Sequence, residues 1–198
     1  PKYPNLKAVP IPVALALFNA KTGEQYTLNS ADLFVNDVKD GVYLFDQDEA
    51  TIEFTDVTEQ PIASLLRNFS APVNLSFDYS NDDLAFLIQH ETNGFNQWQA
   101  TQTLLERILL EDHQADTYIQ AIKNTLPDLV NKDPLLASRL FDVPSESYLG
   151  SRIDQDYEPE LVREKREAVI NRLARELGSF WKETYLALDP DLQKEFSL

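Results

Sequence analysis

The chain has 198 residues and a formal net charge of -16, with 43% hydrophobic and 25% charged residues and no cysteine. That composition suits a folded chain with a core and leaves room for one large domain or two small ones. It excludes a disulfide framework and any thiolate ligand or nucleophile, and it disfavours nucleic acid and anionic membranes, whose phosphates need Lys and Arg to replace their counterions.

The acid excess is spread along the chain, so it reads as a solvated surface that keeps the protein soluble. The lack of cysteine fits a reducing compartment, and a cytoplasmic location is expected. Residues 11–18 are apolar but too few to span a bilayer, and no signal peptide is visible. The chain begins at Pro1 rather than Met. It is therefore expected to be processed or part of something longer.

In the first part apolar residues alternate with period two. Residues 1–10 are Pro-rich and expected to be extended. Residues 11–19 read as a strand, Ala20-Lys21-Thr22-Gly23 as its turn, and Gln25-Tyr26-Thr27-Leu28 as the return strand of a hairpin. Residues 29–41 are polar, with Asp40-Gly41 a further turn. Residues 42–45 and 50–54 read as two more strands around the acidic loop 46–49. Residues 57–66 lead to the turn Ser70-Ala71-Pro72. The alternating run Val73-Asn74-Leu75-Ser76-Phe77-Asp78-Tyr79 closes the set. Short strands at this spacing predict an antiparallel, immunoglobulin- or fibronectin-like sandwich over residues 1–79. About 80 residues is near the lower limit of self-sufficiency, so the sandwich should lean on the segment after residue 79.

After residue 80 the period becomes helical. Ser80-Asn81-Asp82-Asp83 is a start signal: a short polar side chain accepts from the free N–H groups, and two carboxylates suit the positive end of the helix dipole. Leu84, Leu87 and Ile88 form one apolar face, which Asn93-Gly94 breaks. Phe95, Trp98, Leu105, Ile108 and Leu109 mark the next helix. Tyr118, Ile119, Ile122 and Leu126 mark a third, expected to end at Pro127. Asp133-Pro134 and Ser145 look like caps of two short helices. Pro159 opens the longest helix, with Val162, Val169, Leu173, Leu177, Trp181, Tyr185 and Leu188 as its stripe. Asp189-Pro190 is expected to start another, which the chain leaves unfinished. The expectation for residues 80–198 is an all-α array of six to eight helices in antiparallel pairs. Cut short at its carboxyl end, the array should expose apolar surface and favour self-association.

No constellation carries catalysis. His90-Glu91-Thr92-Asn93-Gly94 is the nearest approach to a zinc-binding H-E-x-x-H, but Gly94 stands where the second His is needed. His113 is the only other histidine. Two imidazoles 23 positions apart make a poor zinc site, and His90 is better read as a partly charged ring at a helix end. Asp154, Asp156 and Glu158 have the spacing of a calcium-loop start, but Pro159 and Lys165 stand where Gly and Glu are required. There is no G-x-S-x-G and no phosphate-loop glycine spacing. Phe95 and Trp98 lie one turn apart and read as core anchors at the junction of the two parts. Arg67 is expected to pair with an acid across the same junction.

The blocks Arg67-Asn68-Phe69-Ser70-Ala71-Pro72-Val73, Leu84-Ala85-Phe86-Leu87 and Asn93-Gly94-Phe95-Asn96-Gln97-Trp98-Gln99-Ala100 resemble, in order, the join between two domains of bacterial aminopeptidase N. These are zinc alanyl aminopeptidases of the gluzincin class. The likeness extends through Val143-Pro144-Ser145-Glu146-Ser147-Tyr148-Leu149 and into the helix after Pro159. It implies a β-sandwich followed by the first part of a helical domain. The H-E-x-x-H and G-A-M-E-N motifs would belong to an upstream catalytic domain that the 198 residues lack. On this reading the chain has no catalytic, cofactor or metal residues. Arg67, Phe69, Pro72, Phe95 and Trp98 are interdomain structural residues, and zinc belongs to the missing domain. The partners are that domain and the remaining helices, with peptides reached only through the parent. The alternatives are a free-standing protein-interaction module and an independent hydrolase built on scattered carboxylates.

Overall fold

A computed structural model describes residues 9–28, 38–55, 57, 59–111, 113–153 and 158–188. Its antiparallel sheet contains β1 (Ile11–Asn19), β2 (Val38–Lys39), β3 (Val42–Phe45) and β4 (Pro61–Leu65), in the order β2-β3-β1-β4. β1 divides its length between two neighbours. Residues 11–14 pair with β3, and residues 15–19 pair with β4, Leu15 opposite Leu65 and Asn19 opposite Pro61. Asp40 and Gly41 join β2 to β3 with φ of 52° and 76°. A two-residue loop with both central residues left-handed matches the twist of a hairpin, which is why an Asp-Gly pair stands there.

Three sequence expectations are corrected in this part. Residues 25–28 form no return strand; only Gln25 bridges to Phe18, and Tyr26 donates its N–H to the Leu17 carbonyl. Of residues 50–54, only Phe54 lies in a bridge. Residues 73–79 form no strand, and Val73, Leu75 and Phe77 are exposed. Local bonds from Val73 N–H to the Ala71 carbonyl and from Tyr79 N–H to the Phe77 carbonyl close the chain on itself instead. Alternation marks a segment with one apolar face, but it does not supply a partner strand.

The helical part comprises α1 (Asn81–His90), α2 (Gly94–Leu110), α3 (Asp116–Lys132), α4 (Pro134–Arg139), α5 (Glu146–Ser151) and α6 (Pro159–Leu188). The start signals act as expected. Ser80 Oγ accepts from Asp83 N–H at 3.0 Å, while Ser80 N–H donates to Asp83 Oδ2 at 2.9 Å, a reciprocal capping box. Asp133 and Ser145 accept from the first turns of α4 and α5, and Asn93, expected only as a break after α1, accepts from the first turn of α2. At the other end of α1, the Ile88 carbonyl accepts from Gln97 Nε2 at 2.6 Å and Thr125 Oγ1 at 3.2 Å. α2 and α3 thus satisfy a group that the helix end would leave unpaired.

Pro127 does not end α3. It sits exposed inside the helix, and its carbonyl accepts from Asn131 Nδ2 at 3.0 Å. An interior proline costs about 3 kcal/mol, but the apolar stripe continues through Leu129 and Val130, which pack on the core and offset that cost. The expected helix start at Asp189-Pro190 and the acidic residues Asp154 and Asp156 lie outside the described residues, as does most of 1–10.

Helices pack with their chain neighbours, α1 with α2, α3 with α4 and α5 with α6, and α1 also lies on α3. Their buried residues form one core, which takes in Ala16 and Phe18 from β1. Leu15 instead joins a smaller core with Val38 and Tyr43. β1 is therefore covered on both faces, and the sheet shares its best-buried residues with the helices.

Tyr118 lies fully inside this core and donates its hydroxyl to the Leu140 carbonyl at 2.9 Å; burial raises its pKa. Tyr118→Phe leaves that carbonyl without its donor and is expected to cost about 1–3 kcal/mol, read as a lower denaturant midpoint at unchanged slope.

Candidate functional site at the sheet–helix junction

The segment between β4 and α1 meets the link between α1 and α2. Leu66, Asn68 and Phe69 have φ of 54°, 56° and 53° around the 3-10 turn Arg67–Phe69. Left-handed backbone is costly for residues carrying a Cβ and persists only where surrounding contacts over-determine it. Those contacts come from residues 91–96. Arg67 Nη2 donates to Glu91 Oε1 and to Thr92 Oγ1, each at 2.6 Å. The Glu91 side chain is 0% exposed and that of Arg67 17%. Glu91 Oε1 also accepts from Asn93 N–H at 2.7 Å, so one carboxylate oxygen ties the arginine to the entry of α2. Asn93 Nδ2 donates to Asn68 Oδ1, and Asn96 Nδ2 donates to the Leu65 carbonyl at 2.8 Å and Ser64 Oγ at 3.0 Å. Ser70 Oγ accepts from Ala14 N–H at 3.0 Å, holding the exit of the turn to β1.

An aromatic row runs out of this knot. Phe69 meets Phe95 edge-on at 5.7 Å between centroids, and Phe95 meets Trp98 at 6.0 Å. Phe95 and Trp98 then line a cleft of about 490 Å³ with Gly94, Leu135, Leu136 and Arg139; Gln102, Asp133 and Asp142 complete the wall. A Cβ at Gly94 would lie 3.0 Å from Leu136 Cδ2, so a larger residue there would need the Leu136 tip to shift by a few tenths of an ångström. Arg139 is held by Asp142 at 2.9 Å, and Asp133 caps α4 through Oδ1.

Of the residues singled out from sequence, Arg67, Phe69, Phe95 and Trp98 come together here. Trp98 is part-buried against the helical core, whereas Phe69 is exposed. Pro72 lies beyond the turn, exposed. Sequence reasoning missed Glu91, Asn93, Leu135 and Leu136. No local signal sets Glu91 apart from the other acidic residues; its pairing with Arg67 depends on how the β4–α1 turn meets the link between α1 and α2.

His90 ends α1 as expected, but its environment differs from a charged helix-end imidazole. Its ring lies against Phe86 at 4.4 Å, and a Cβ on Gly23 would come within 2.2 Å of its Nδ1. The resulting desolvation lowers its pKa from the ordinary 6.5. Among the described residues no group of three or more His, Cys, Asp or Glu side chains is placed to hold a metal.

A lowered pKa means the folded state binds fewer protons than the unfolded state near that range. This contribution to stability is full above pH 6.5 and declines as pH falls below it. His90→Gln is expected to flatten that part of the stability–pH curve, measured by urea titration between about pH 5 and 8.

An immunoglobulin-like sheet domain tied through a polar knot to a stack of helices defines the class of the molecule. The chain belongs to the family described as domain of unknown function (DUF3458_C), ARM repeats, which it matches over residues 81–197, preceded by an Ig-like DUF3458 domain over residues 1–78, together the C-terminal region of aminopeptidase N. It is 31% identical over 182 residues to aminopeptidase N of Escherichia coli (strain K12), a match covering 85% of this chain and 20% of that protein. It is 31% identical over 144 residues to aminopeptidase N of Caulobacter vibrioides, covering 69% of this chain and 16% of that protein. It also superposes on a crystal structure of Legionella pneumophila aminopeptidase A in complex with aspartic acid. That match has a TM-score of 0.68 and 25% identity, covering 91% of this chain and 20% of that one. The chain thus spans about a fifth of the length of these relatives.

Proposed function

We propose that the chain is a non-catalytic portion of an aminopeptidase-N-like zinc exopeptidase that removes amino-terminal residues from peptides. The observation that carries this reading is the continuous match of both parts, in order, to proteins about five times as long. The sheet acts as a strut, and the helices help to enclose the parent's active-site cavity and limit access to it. The partners are the catalytic domain, where zinc would be held, and the remaining helices. Peptides are met only through the parent. The charge of -16 supports a role without nucleic acid or membrane contact, and the absence of cysteine is consistent with the cytoplasm. The division falls at residues 79 and 80, with Arg67, Phe69, Pro72, Phe95 and Trp98 serving the join.

An alanyl-anilide assay of the purified chain, with and without added zinc, tests this. No hydrolysis above buffer is expected. Zinc-dependent turnover by the 198 residues alone would overturn the reading.

A further inference from the structure

We infer that Asn93-Gly94 is a deamidation site controlled by the junction itself. The closed knot protects it, opening exposes it, and the product weakens the knot. The reaction is then an irreversible record of how often the sheet and the helices come apart at this point.

The pair is the one Asn-Gly dipeptide in the sequence. Asparagine is a thermolabile residue, most of all before glycine, where no Cβ shields the next backbone nitrogen. That nitrogen loses its proton to base and attacks Cγ of Asn93. The new N–Cγ bond forms and the Cγ–Nδ2 bond breaks. Nδ2 leaves as ammonia, carrying in effect the proton that Gly94 gave up. Water then opens the cyclic imide at either carbonyl and leaves an aspartyl or an iso-aspartyl link.

In the folded chain the reacting groups are tied down. Asn93 is half-buried, its Oδ1 accepts from Asn96 N–H at 3.1 Å, and its Nδ2 donates to Asn68 Oδ1. Its N–H donates to Glu91 Oε1 at 2.7 Å, and its carbonyl accepts from Gln97 N–H at 2.9 Å. Gly94 is the first residue of α2. Closing the imide ring takes the side chain off Asn96 and Asn68 and turns the Asn93–Gly94 peptide out of the first helical turn. The reaction therefore waits on local opening. The left-handed turn 66–69 has to let go, because Asn68 holds the leaving nitrogen and Arg67 holds Glu91 and Thr92 on either side of the link.

The product fits this pocket poorly. A carboxylate at position 93 has no hydrogen to donate to Asn68 Oδ1, and it stands beside the Glu91 carboxylate, whose side chain is 0% exposed. Like charges at close range disfavour each other. An aspartyl residue would still cap α2. The iso-aspartyl link moves a methylene into the main chain and loses the cap as well.

The 198-residue chain is aged in mildly alkaline buffer, folded and in urea. The peptide spanning the pair is followed by mass spectrometry after chromatography that separates the iso-aspartyl form. Asn68→Gly is aged beside it. Glycine suits the φ of 56° at that position and removes the acceptor for Asn93 Nδ2. Conversion in urea should be about a hundredfold faster than in the folded chain, and Asn68→Gly should convert several-fold faster than the folded wild type. Hydrogen exchange of the aged folded chain should be faster than that of fresh chain in residues 66–69 and 91–96, with the interior of α3 unchanged. Equal rates folded and in urea would overturn the control by the junction, a comparison that holds even if Asn68→Gly does not fold. No conversion in urea would overturn the site. Unaltered exchange after full conversion would overturn the effect on the knot.

Discussion

Arg67→Ala is expected to lower stability by about 3–5 kcal/mol, the cost of leaving a fully buried carboxylate without its cation. Glu91 is enclosed by the β4–α1 turn and the entry of α2, and its Oε1 accepts from both Arg67 and Asn93 N–H. Loss of the guanidinium leaves a carboxylate that is 0% exposed in the folded chain without its cation. The left-handed backbone at Leu66, Asn68 and Phe69 also loses one of its restraints. For a chain of this size that is a fall in thermal midpoint of roughly 10 °C. The double variant Arg67→Met/Glu91→Gln is expected to recover more than half of the loss, because it removes the buried charge while the Gln oxygen can still accept from Asn93. A single variant close to wild type in differential scanning calorimetry would mean that the pair contributes little.

Phe18→Ala is the second large effect, expected at about 3–5 kcal/mol. The ring is fully buried and belongs to the helical core although it stands on β1. It meets Phe86 edge-on at 6.3 Å, and Phe86 in turn lies against His90 beneath the Gly23 turn. Removing it opens a cavity between the sheet and α1. The loss should be uneven: hydrogen exchange should rise more in residues 15–19 and β4 than in the interior of α3. A uniform rise across sheet and helices would show that Phe18 supports the whole core equally and does not act as the tie between its two parts.

The helical part was legible because its signals are local. Ser80 with Asp83, Asp133-Pro134, Ser145 and Pro159 each act within one turn of their own position and open helices where the spacing puts them, whereas Asn93, expected only as a break, caps α2. Pro127 is a local breaker, but the apolar stripe beyond it, Leu129 and Val130, keeps α3 helical through tertiary packing. The sheet was less legible because strands depend on partners distant in sequence. Residues 73–79 alternate strictly, more so than the continuous apolar run of β1, but pair with no strand among the described residues, whereas β4 (Pro61–Leu65) reads only as part of a run leading to the junction. At the site, Arg67 announced an acid, but the chain holds 33 acidic residues and nothing local singles out Glu91. In sequence, Leu135 and Leu136 belong only to a short helix after Asp133-Pro134. That they face Phe95 and Trp98 follows from the packing of α4 on α2 and α3.

If these 198 residues are part of a longer aminopeptidase, the native polypeptide must be several times their size. Antibodies raised against the chain would be used on soluble lysate of the source organism after size fractionation. The expected result is a band several times larger than 22.6 kDa that co-fractionates with alanyl-peptide hydrolysis abolished by a zinc chelator. A single band at 22.6 kDa, in fractions without that activity, would contradict it.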